Sequence, residues 1–67
     1  MIEITSIGGE KFTLNSDHIY KVEEHPDTII TMMDGKTIRV LESTAQITDK
    51  IVDFKRRIFT VFLEASK

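Results

Sequence analysis

The sequence predicts an α+β fold in which an antiparallel sheet of about five short strands precedes one C-terminal helix, the whole assembled as a homo-oligomer. Three observations lead there. Glycine and proline fall at three turn-like sites, Gly8-Gly9, Pro26-Asp27 and Asp34-Gly35, each between segments rich in β-branched residues. After Gly35 neither residue recurs, and from Ser43 the apolar residues adopt a helical period. The chain has 67 residues and no cysteine, so disulfides and cysteine-bound metals cannot reinforce so small a core; self-association remains.

The first hairpin pairs Ile2 to Ile7 with Glu10 to Leu14 across Gly8-Gly9. Ile2, Ile4, Phe12 and Leu14 share one face, while Glu3, Thr5, Lys11 and Thr13 take the wet one. Asn15-Ser16-Asp17 then breaks the chain before a middle strand, Ile19 to Glu24. A second hairpin pairs Thr28 to Met33 with Lys36 to Leu41 across Asp34-Gly35. Both glycine sites suit two-residue loops, whose central positions favour positive φ. Ile29-Ile30, Met32-Met33 and Val40-Leu41 put apolar side chains on both faces of their strands, so a second subunit is expected to cover one of them. Ser43 with Gln46 three residues on forms a capping box, and the helix it starts is expected over 43–66. Residues 1–67 thus make one domain, β-rich over 1–42 and helical thereafter.

Along the helix, Ile47, Ile51, Phe54, Ile58, Val61 and Ala65 recur at alternating intervals of four and three, a narrow stripe suited to docking on the domain's own sheet. Val52, Phe59 and Leu63 lie roughly 130° away, with Phe62 between the two sets. One sheet cannot cover both. Val52, Phe59, Phe62 and Leu63 are therefore the expected interface with another copy or with a partner. Lys55, Arg56 and Arg57 occupy remaining faces as a candidate basic patch for an acidic partner, and Asp49 and Asp53 are available for one-turn ion pairs, Asp53 with Arg57 and Asp49 with neighbours on the Arg56 side.

Nine basic and eleven acidic residues give a net charge of −2, which offers no bulk attraction for nucleic acid. The charge is nonetheless uneven, −4 over residues 1–42 and +2 over 43–67. No apolar run approaches the ~20 residues of a membrane span and no secretory signal is evident, so membrane insertion is not expected and a cytoplasmic protein is.

Catalytic chemistry finds no foothold. His18 and His25 lack any spacing that matches a zinc site and read as surface residues beside turns. Glu23 and Glu24 point to opposite faces of a strand and cannot share a proton as an acid–base pair must. No nucleophile elbow, dinucleotide fingerprint or phosphate loop occurs. The chain is expected to be non-enzymatic, with no catalytic residue, no metal and no cofactor.

One resemblance covers nearly the whole chain. It runs through Met1-Ile2, Thr5, Gly9, Phe12, Leu14-Asn15, Ile19 and Glu23-Glu24, then Pro26-Asp27-Thr28, Ile30-Thr31, Asp34-Gly35-Lys36, Val40 and Glu42-Ser43. It ends in a helix bearing Ile47, Ile51, Phe54 and Lys55-Arg56. In these residues the chain resembles the FlbD family of small flagellar proteins, whose swarming-associated members are called SwrD. Gly8-Gly9 and Asp34-Gly35 stand where that family often has Asn-Gly, and the tail from Phe59 to Lys67 is less typical of it. The resemblance implies a cytoplasmic accessory of bacterial flagellar motility, at the cytoplasmic face of the motor, whose partner is a motor or basal-body protein. The alternative is an RNA-binding translational regulator: five short strands followed by a helix are similar in architecture to the carbon storage regulator family, although here the strands are acidic on balance.

Overall fold

The computed structural model describes residues 1–65, and the side chains of all of these except Phe62, Glu64 and Ala65. Ile2–Thr5 (β1) and Lys11–Leu14 (β2) form the first antiparallel hairpin, with Ile2 opposite Leu14 and Ile4 opposite Phe12. Directly opposed residues share a face, so these four side chains point inward together, as their alternation predicts. A short 3-10 turn, Ser16–His18, follows; the Asn15 side chain accepts from the Asp17 N–H at 3.0 Å and caps it. Ile19–Glu24 (β3), Thr28–Met32 (β4) and Thr37–Val40 (β5) then form an antiparallel meander.

The loops differ from the two-residue form expected of them. The Ser6 N–H donates to the Glu10 carbonyl at 2.8 Å and the Gly9 N–H donates to the Ser6 carbonyl at 2.9 Å, enclosing Ile7, Gly8 and Gly9. The second hairpin repeats the arrangement: Met32 N–H to Lys36 carbonyl at 2.7 Å and Gly35 N–H to Met32 carbonyl at 2.9 Å. Both are three-residue loops, which need a left-handed residue only at the last position. Gly9 (φ 91°) and Gly35 (φ 92°) supply it, and no other described residue has positive φ. Gly9→Ala is therefore expected to cost about 1 kcal/mol, since the left-handed backbone penalises a Cβ. Gly8→Ala should be neutral or slightly stabilising. Urea titration of the two variants distinguishes this loop from a two-residue loop, which would penalise both.

The five strands do not form one sheet. They divide into β1-β2 and β3-β4-β5, joined where Ser6 bridges Val40. The Leu41 N–H donates to the Thr5 carbonyl (2.9 Å) and the Ile7 N–H donates to the Arg39 carbonyl (3.1 Å). Both backbone groups of Ser6 bond on its other side, to Glu10 and Gly9, so this residue links the two sheets.

The helix α1 spans Thr44–Ala65, and its start is the capping box. The Ser43 N–H donates to the Gln46 side-chain oxygen at 2.8 Å, while the Gln46 N–H donates to the Ser43 hydroxyl at 3.1 Å. The helix lies against β1 and β3. Ile2, Ile4, Leu14, Ile30, Val40 and Ile47 form the buried core, with Phe12, Ile19, Val22, Met32, Ile38, Ile51 and Phe54 packed around it.

Register shows which apolar residues of the sheet face inward and which do not. Val22, Ile30 and Ile38 are mutual partners and share the inner face, whereas Ile29 lies between Glu23 and Arg39 on the outer one. Leu41, two residues past Arg39, is exposed. Met33 sits in the loop between β4 and β5. The inner face of the three-stranded sheet is covered, while Ile7, Met33 and Leu41 stay exposed around it.

Candidate interaction surface

The apolar stripe of α1 outruns the body it packs on. Ile47 is buried and Ile51 and Phe54 are half-buried, but from Lys55 onward every residue with a described side chain is exposed. A 22-residue helix is about 33 Å long, and roughly its last 16 Å projects past the sheets. Ile58 is 52% exposed and Val61 64%, although both continue the docking stripe. The sequence reading placed them against the sheet; the strands, four to six residues long, are too short to reach them.

The predicted interface residues fall on this overhang and beside it. Val52, Phe59 and Leu63 are all exposed, Phe59 at 61%. Phe62 is helical, but its side chain lies outside the described residues. Apolar positions therefore occupy a broad arc of the tip, and the sequence reading missed that Ile58, Val61 and Met1 belong to it. Met1 is exposed and joins Phe54, Arg57, Ile58 and Val61 around one shallow groove; Asp17, Phe54, Lys55, Ile58 and Phe59 line another. Ile58 is the ridge between the two.

The basic trio is divided by its partners. Lys55 Nζ donates to Asp17 Oδ1 at 3.1 Å, tying the helix to the 3-10 turn. Arg57 pairs with Asp53 at 3.0 Å, the one-turn spacing read from the sequence. Arg56 has no ionic partner among the described residues and points the least committed charge outward.

Two carboxylates with no structural role assigned from the sequence fix the chain around the start of the helix. Glu24 shares the inner face of β3 with Thr28 and Val40, so its side chain reaches the helix start. Glu24 Oε1 accepts from both the N–H and the hydroxyl of Thr44, each at 2.9 Å. These bonds hold its carboxyl below the ordinary value of 4.5. Glu23, on the opposite face, pairs with Lys21 at 3.2 Å, so the two glutamates diverge. Glu42 accepts the Thr5 N–H on both oxygens, at 2.9 and 3.0 Å. Burial pushes its carboxyl up, but the bonds from Thr5 together with the Lys50 charge outweigh that and hold it below its ordinary value.

His18 and His25 are exposed, and no described group of three or more histidine or acidic side chains is arranged around a metal position. Among the described residues no helix is long and apolar enough to cross a membrane.

Compared with known proteins, the chain matches one family model, FlbD, described as flagellar and swarming motility proteins, over residues 1–59. The match ends within the overhang. Neither curated proteins nor solved structures give a match.

Proposed function

The chain belongs to the FlbD family of flagellar and swarming motility proteins, and from that membership we propose that it is a non-enzymatic accessory supporting motor output or swarming through protein–protein contacts. The observation that carries the mechanism is the overhang: a helix gripped at one end by the domain and presenting Phe59 and Leu63 toward the other, with Val52 exposed beside it. Self-association multiplies this surface, and the repeated surface meets a motor or basal-body protein at the cytoplasmic face of the motor. Large apolar side chains supply the affinity, and the basic trio gives orientation toward acidic groups. Arg56 is the leading contact of the three, because Lys55 and Arg57 are already paired within the domain.

Tethered-cell rotation tests the reading. A chromosomal Phe59→Ala, Arg56→Glu double variant is expected to slow rotation as far as deletion of the chain does, with filament number and the level of the protein unchanged. Rotation at the wild-type speed, with the protein present at its normal level, would refute it.

A further inference from the structure

The shape of the chain carries a more specific conclusion about its self-association. It exposes 5023 Å², whereas a compact monomer of 7.7 kDa exposes about 4,300 Å². The surplus of about 700 Å² is close to the ~800 Å² that each partner contributes to an interface of standard size. The radius of gyration agrees, 13.4 Å against about 11 Å for a compact domain of this length.

The overhang also restricts how a second copy can sit. Ile47, Ile51, Phe54, Ile58 and Val61 keep the alternating four and three spacing of a coiled-coil seam. The first three cover the chain's own sheets; Ile58 and Val61 continue the same line uncovered. A second helix laid parallel on that line would bring its own sheets into the space already held by β1 and β3. In coiled-coil terms it would also set Lys50 of one helix near Lys55 of the other, two like charges. Turned end for end, the second helix carries its body past residue 65 of the first, and neither conflict arises.

We infer that two copies of this chain form a two-fold dimer by antiparallel pairing of their helix overhangs, with Ile58 of each facing Val61 of the other. The interface is isologous, as a two-fold axis requires. Each tip ends against the groove that Met1, Phe54 and Arg57 line on the other copy. This deepens the self-association in the function proposed above, and it leaves Val52 and Phe59, roughly 130° around the helix, facing outward for the flagellar partner.

The test uses the full chain at micromolar concentration, so its outcome is independent of motility. Sedimentation equilibrium is expected to give twice the 7.7 kDa chain mass. Ile58→Glu should convert the dimer to a folded monomer by circular dichroism, since Ile58 supports none of the buried core. Thr60→Glu, on the polar side of the tip, should leave the dimer intact, as should Phe59→Glu. Orientation is read from spin labels at Thr48→Cys, a site that is unique because the chain has no cysteine. Antiparallel pairing in this register separates the two labels by roughly 35 Å. A wild-type mass other than twice the chain, a dimer that survives Ile58→Glu or is lost with Phe59→Glu, or a label distance under about 25 Å would each overturn the inference.

Discussion

Ile47→Ala is expected to lower the stability of the domain by about 3 to 4 kcal/mol, the usual cost of truncating a buried isoleucine and leaving its cavity. Ile47 is 1% exposed and is, among the described residues of α1, the only one in the fully buried core, where it joins Ile2, Ile4, Leu14, Ile30 and Val40. It is the point at which the helix closes over both sheets. A domain of 67 residues has a total stability of only about 3 to 10 kcal/mol, so the variant should be largely unfolded at physiological temperature. Urea titration followed by circular dichroism measures this as a large fall in midpoint with little change in slope. Val52→Ala, five residues on but 47% exposed, should stay within about 0.5 kcal/mol of the parent. Equal effects at the two sites would show that the helix docks differently.

Acid is expected to destabilise the domain chiefly through Glu42 and Glu24. Both carboxyls are held below 4.5 in the folded state, so near and below that pH the unfolded chain binds more protons. Their contribution is complete above the unfolded value and is lost as pH falls through the folded one. Glu42→Ala leaves the Thr5 N–H without its acceptor and should cost about 2 kcal/mol at neutral pH. Glu42→Gln retains an acceptor oxygen but does not titrate, so its stability should vary less between pH 5 and pH 3 than that of the parent. Urea midpoints across that interval decide the matter: a wild-type slope in Glu42→Gln would exclude Glu42 as a source of the acid dependence.

What could be read from the sequence was local. Ser43 with Gln46, Asp53 with Arg57, the alternation in β1 and β2 and the strand positions each depend on residues a few places apart. Local rules fix those geometries before any tertiary contact forms. The turn sites were legible but the loop lengths were not, because Gly8-Gly9 satisfies a two-residue loop as well as a three-residue one. The Ser6–Glu10 hydrogen bond and the absence of a positive φ at Gly8 separate them. Glu42 with Thr5 and Glu24 with Thr44 span 37 and 20 residues, and no periodicity marks such pairs. Lys55 reads as part of a basic cluster, yet a contact 38 residues distant, Asp17, takes its charge. The apolar stripe was correctly placed on one side of the helix, but its spacing carries no information on where the sheets end. That boundary decides which of its residues are core and which are surface.

The half-gripped helix makes the molecule a lever. Its fulcrum is the edge of the packed segment, where Phe54 leaves the sheets, and the Lys55–Asp17 pair acts as a stay at the root of the free arm. An α-helix resists bending far more than a single side-chain ion pair resists stretching. A tilt of several degrees at the fulcrum displaces the free end by about 2 Å, given an unsupported length of roughly 16 Å. Force applied at the tip by a bound protein is therefore delivered to the contacts of Ile51 and Phe54 with the sheets and to the Lys55–Asp17 pair, and hardly at all to the first turn of the helix.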